Sequence, residues 1–153
     1  MKFQSHRTVT RILLSCVLTS VWLLGALGAA GAEPDPCALV PKAEIEKIIG
    51  ELKDAPKADT GLQKEKTCDY TTMRGSWLKV SLYPSERWGM QKGIVSEMNP
   101  TDVTGLGEEA FSVKRGSTCE IYVRKGKLIL EVSSTVGLDL TRKFAEAAIK
   151  QLP

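Results

Sequence analysis

Two glutamates on neighbouring strand-like runs, Glu120 and Glu131, are the residues best placed for acid–base chemistry. Cys119, Ile121 and Val123 alternate with Glu120, Tyr122 and Arg124; Leu128, Leu130 and Val132 alternate with Ile129, Glu131 and Ser133. A period of two gives one buried and one wetter face. Gly126 supplies the positive φ of a tight turn. A two-residue loop, Lys125 and Gly126, is expected, because it puts all six apolar side chains on one face. A three-residue loop would slip the register by one and turn that set outward. The chosen register sets Glu120 opposite Glu131. Two carboxylates held close push their pKa values apart, as acid/base pairs and cation sites require. The plainer expectation is a solvated face, with Lys114, Arg124 and Lys127 near enough to neutralise it.

Other motifs are poorer in chemistry. Ser76 and Lys79 spell the Ser-x-x-Lys of penicillin-recognising enzymes. That motif needs a helix start and two partner motifs, whereas here it lies in strand sequence, where positions three apart face opposite ways. Gly105-Leu-Gly107 lacks the third glycine and following helix of a dinucleotide loop, and is expected to be a turn. Trp77, Tyr83 and Tyr122 fall on the polar-alternating sides of their strands. Together they would make an aromatic and charged face suited to binding, unless a helix covers it and makes the rings core.

Residues 1–32 read as a secretory signal. Lys2, Arg7 and Arg11 precede a largely apolar run, and Ala30-Gly31-Ala32 offers a small-x-small cleavage pattern. The expected product is one exported domain, 33–153, periplasmic or secreted; the alternative is an anchor through an uncleaved signal. Of the 21 Lys plus Arg, three lie in the signal, which leaves 18 against 18 Asp plus Glu. The remaining segment is formally neutral, and nucleic-acid binding, which shows as basic excess, is not expected. His6 is the only histidine and lies in the signal. Residues 33–153 therefore hold no Ser-His-Asp or Cys-His arrangement and no histidine zinc site. Neither a cofactor nor a metal is called for, and a monomer is expected.

Cys37, Cys68 and Cys119 survive cleavage, and an exported compartment permits disulfides. Three cysteines leave one over. Cys37–Cys68 is the favoured bond, since it would tie the segment before a helix to the start of a strand. Cys119 is then a small buried hydrophobe; the alternative is a reactive or intermolecular thiol. A helix is expected over 41–49, with Pro41 at its start and Gly50 at its end, followed by a surface loop over 54–66. Strands are expected over 67–72, 77–83 and 110–114. A helix over 86–98 would be capped by Ser85, and a last helix over 138–152 by Asp139. The fold expected is α+β: an antiparallel sheet of about five strands with three helices, in the order α-β-β-α-β-β-β-α.

Residues 37–50, reading Cys-Ala-Leu-Val-Pro-Lys-Ala-Glu-Ile-Glu-Lys-Ile-Ile-Gly, are followed by Cys68-Asp-Tyr70 and Gly105-Leu-Gly-Glu-Glu-Ala110. This resembles a family of small exported bacterial domains, many of them lipoproteins of unknown function. Its pattern is a Cys-x-Leu-Leu-Thr opening that ends in Gly, a second cysteine followed by an aromatic, and a Gly-Leu-Gly-acidic segment. The resemblance implies a Cys37–Cys68 bond and an α+β fold, and carries over no catalytic residue. The chain departs from the pattern at Cys37, which follows Asp35-Pro36 and no lipoprotein box. The function expected is a non-enzymatic module that binds a small molecule or an envelope partner through Trp77, Tyr83 and Tyr122. The alternatives are a small hydrolase using Glu120 and Glu131, and a structural envelope component.

Overall fold

A central antiparallel sheet of seven strands organises the protein, whose structure is a computed structural model describing residues 33–61 and 65–153. Its elements run α1 (Lys42–Ile49), β1 (Lys57–Thr60), β2 (Lys66–Thr71), β3 (Trp77–Pro84), α2 (Trp88–Val95), β4 (Thr101–Asp102), β5 (Glu109–Arg115), β6 (Thr118–Lys125), β7 (Leu128–Ser134) and α3 (Leu138–Ile149). In space the strands lie β1-β2-β3-β7-β6-β5-β4. Two meanders, β1 to β3 and β4 to β7, meet where β3 pairs with β7, and α2 joins them. Pro34–Pro153 forms one compact unit. The signal reading of 1–32 lies outside the described residues, as do residues 62–64 of the expected 54–66 loop.

Strand alternation sends two sets of side chains to opposite faces. Tyr70, Leu78, Val80, Ile121, Val123, Leu130 and Val132 point to the first face, where Ile45 of α1 and Phe144, Ala145 and Ala148 of α3 cover them. Phe144 is fully buried; burying a ring of that size stabilises by roughly 1.5–3 kcal/mol. Phe111, Val113, Tyr122 and Ile129 point to the second face and pack against Trp88 and Val95 of α2. Among the described residues, no helix is long and apolar enough to cross a membrane.

The expected strand count and order are corrected: seven strands replace five, and the order is α-β-β-β-α-β-β-β-β-α. The arrangement is still antiparallel α+β. β1 falls inside the expected 54–66 loop. It is an edge strand with all four residues exposed, so no apolar alternation marks it. β4 is only two residues long, too short for any period to show. The expected 86–98 helix is an α-helix of eight residues with 3₁₀ turns over Ser85–Arg87 and Ser96–Met98. Pro84, not Ser85, precedes the first of these turns, without a side-chain cap. Gly137, with φ +94°, takes the place expected of Asp139, which sits in the first turn of α3.

The hairpin register also differs from expectation. Lys125 pairs with Leu128, so the two-residue loop is Gly126-Lys127. Gly126 has φ +55°, as the first central position of a type II′ turn demands. The shift is two residues, so the faces are unchanged, but the partners move. Glu120 lies opposite Ser133, and Glu131 lies opposite Tyr122.

Candidate binding groove

The second face of the sheet is only partly covered. An eight-residue helix is about 12 Å long, and α2 is anchored at one side of this face. There the Trp88 ring packs tilted against Phe111, with centroids 5.1 Å apart, and the Trp88 indole donates to Glu109 at 2.8 Å. Lys92 on the next turn also binds Glu109. These contacts hold the Glu109 carboxyl below its ordinary value, chiefly through the Lys92 hydrogen bond. Beyond α2 the face opens into a groove of about 560 Å³.

Strand pairing places each residue of its floor. Ser81 of β3, Glu131 of β7 and Tyr122 of β6 lie in one cross-strand row; Lys79, Ser133 and Glu120 lie in the next. Tyr83 and Glu65 mark one end of the groove, and Trp77, Thr118 and Arg115 the other. Gln91 and Ile94 of α2 form a wall. Trp77 and Tyr83 are six residues apart on β3, so the groove extends roughly 20 Å along the strands.

Hydroxyls hold the two carboxylates. Tyr122 donates to Glu120 at 3.0 Å, Tyr83 donates to Glu131 at 2.8 Å, and Ser133 donates to Glu131 at 2.9 Å. Glu120 is only 8% exposed. The Arg115 guanidinium, itself more than half exposed, rests 3.5 Å from it. Burial raises the Glu131 pKa above its ordinary value; the bonds from Tyr83 and Ser133 oppose this, and the Glu120 charge adds to it. Burial likewise raises both tyrosine hydroxyls, helped by the neighbouring carboxylates. They therefore stay protonated and act as donors.

The two candidate sites read from the sequence thus fall in one place. Trp77, Tyr83 and Tyr122 do share a face, but in unlike roles. Trp77 is 37% exposed at the rim, whereas Tyr122 is 4% exposed and its ring stacks on Phe111 at 4.8 Å. Tyr122 is thus largely core, as a covering helix requires. Glu120 and Glu131 share the groove without the direct cross-strand pairing expected of them. Gln91, Ile94, Arg115 and Thr118 also line the groove, and no sequence motif marks them as site residues. The exposed apolar pair Met90 and Ile94, four apart on α2, was the signal available for that wall.

The other sequence motifs have structural roles. Cys37 and Cys68 form a disulfide, with Cα atoms 5.1 Å apart, and Cys119 is free and buried. Ser76 lies in the β2–β3 turn, where its N–H binds Thr72, and Lys79 pairs with Asp69 at 3.7 Å. Gly107 packs against β6: a Cβ there would meet the Arg124 carbonyl oxygen at 2.4 Å. Among the described residues, no group of three or more His, Cys, Asp or Glu is placed to hold a metal ion.

No family model matches the chain, and no curated protein does. Among solved structures, a GTP binding regulator from Thermotoga maritima is similar at 13% identity and a TM-score of 0.46, over 73% of this chain and 90% of that one. Likeness of that degree carries no inference about a ligand.

Proposed function

We propose that the protein is a non-enzymatic, exported binding domain whose site is the groove between α2 and the β3-β7-β6 floor. One observation carries this reading: an exposed tryptophan and two hydroxyl-held carboxylates, the buried Glu120 and the half-buried Glu131, converge on one open groove of about 560 Å³. Ligand sites combine apolar walls with a few fixed polar groups in this way. The Cys37–Cys68 bond suits an oxidising compartment, and the signal-like residues 1–32 would deliver the chain there. Replacing Trp77 or Ile94 by Ala is expected to abolish ligand binding and leave the melting temperature unchanged. Undiminished binding in both variants would count against the groove.

A hydrolase is the second reading, favoured by the raised pKa of Glu131 beside the buried Glu120 carboxylate. It requires substrate turnover that disappears in both Glu120→Gln and Glu131→Gln. Binding without turnover supports the first reading.

A further inference from the structure

If the groove is a binding site, its charge layout specifies a ligand class, and that inference rests on the proposed function. The floor carries two carboxylates, and a third acidic side chain, Glu65, marks the Tyr83 end. Arg115 is the lining cation, and it lies at the opposite end, by Trp77. The protein therefore already seats a positive group against the buried Glu120, and does so with a side chain that is 55% exposed. The Arg115 end of this pair is open to solvent, so the guanidinium can leave once a second cation takes its place beside Glu120. Glu131 is held by the hydroxyls of Tyr83 and Ser133, and among the described residues no ion pair to it forms. Lys79, in the adjacent row and paired with Asp69 at 3.7 Å, acts on Glu131 only as a nearby charge, so the ion-pairing position at Glu131 is left for a partner that enters the groove. Beside these carboxylates stand the apolar surfaces of Trp77 and Ile94, 37% and 57% exposed.

We propose that the groove takes a ligand bearing an ammonium or guanidinium group joined to an apolar body. The cation sits over Glu131 and Glu120, and the body lies against Trp77 and Ile94. Two tyrosine hydroxyls fix the carboxylates before the ligand arrives, so little ordering is left to binding. Arg115 is a resident stand-in for the incoming cation and swings out to solvent.

Three probes of one shape and different charge test this on the purified protein: 2-phenylethylamine, the neutral 2-phenylethanol and the anionic phenylacetate. NMR titration, followed at the Trp77 indole N–H and the Ile94 methyls, gives an affinity for each. The amine is expected to bind roughly tenfold or more tightly than the alcohol, the worth of a charge-assisted hydrogen bond. Glu131→Gln should bring the amine down to the level of the alcohol. Arg115→Ala removes the cation that the amine has to displace from Glu120 and should tighten binding of the amine, with circular dichroism checking that the variant is folded. Equal affinity for amine and alcohol would overturn the proposal. So would tight binding of phenylacetate that Arg115→Ala abolishes. In both cases the probes still move Trp77 and Ile94, and the groove survives as a site. If no probe moves either residue, the groove falls as a site together with its cation.

Discussion

Tyr122 stands directly across from Glu131, yet gives its hydroxyl at 3.0 Å to Glu120, two residues along its own strand. The Glu131 carboxylate is left to Tyr83, which reaches it at 2.8 Å from β3. Each glutamate therefore has its own tyrosine, and the floor of the groove is a polar lattice spread over three strands. A lattice of this kind orders its members, and leaves a buried acceptor stranded when one donor is removed.

Tyr122→Phe removes the donor to Glu120 and keeps the stacked ring. A loss of about 1–2 kcal/mol in unfolding free energy is expected. Tyr122→Ala also removes the ring stacked on Phe111, and should cost about 3–5 kcal/mol. Urea unfolding monitored by circular dichroism measures both. Equal losses would mean that the ring contributes nothing to the second core.

Glu131 makes the stability depend on pH. Its pKa is raised in the folded state from an ordinary value of 4.5. The folded protein thus binds the proton more tightly than the unfolded chain does. The stability linked to this proton is fully present below about pH 4.5 and is lost as pH rises through the raised value. The urea midpoint of Glu131→Gln, compared with that of the unaltered protein, should show a smaller fall across this range. Identical pH profiles would show that burial does not perturb this carboxyl.

Gly107 and Gly126 share φ +55° but differ in surroundings. A methyl group at Gly126 meets nothing within 4 Å, whereas at Gly107 it strikes the Arg124 carbonyl and Val123. Gly126→Ala should cost about 1–2 kcal/mol from backbone strain alone. Gly107→Ala should cost about 2–5 kcal/mol, because overpacking is added to that strain. Comparable denaturation midpoints for the two variants would contradict the close approach.

The Cys37–Cys68 bond closes a sequence separation of 31 residues, which is worth roughly 3–4 kcal/mol in the chain-entropy model. Cys68 is fully buried, and Tyr70 on the same strand donates to the Pro36 carbonyl at 3.2 Å. The N-terminal segment is thus fastened by two independent ties. Cys37→Ala/Cys68→Ala should lower the unfolding free energy by about that amount and keep the Tyr70 contact, measured by denaturation and by protection of nearby amides from exchange. No loss of stability would mean that the second tie alone holds the segment.

Where apolar alternation carried the signal, the sequence was readable. β3, β6 and β7 each alternate an apolar set toward the first face of the sheet, and these faces, the α1 and α3 helices and the buried Cys119 were readable. β1 and β4 escaped because neither has an apolar period: one is fully exposed, and the other spans two residues. The hairpin register escaped for a different reason. A shift of two residues preserves every face, so burial cannot choose between the two pairings; Gly126 at the first central position does. The groove was half legible. Trp77, Tyr83, Glu120 and Glu131 declare themselves by residue type and parity. Gln91, Ile94 and Arg115 join them only through the docking of α2 and the pairing of β5, which no local pattern encodes.

The most direct test is an NMR screen of small molecules of mixed charge and shape against the isotope-labelled protein, with every shifted amide and side chain mapped. The predicted result is a set of shifts centred on Trp77, Tyr83, Gln91 and Ile94 and lost in Trp77→Ala. Shifts centred instead on the separate cavity beside Cys119 and Leu138, or no shifts at all, would contradict the account.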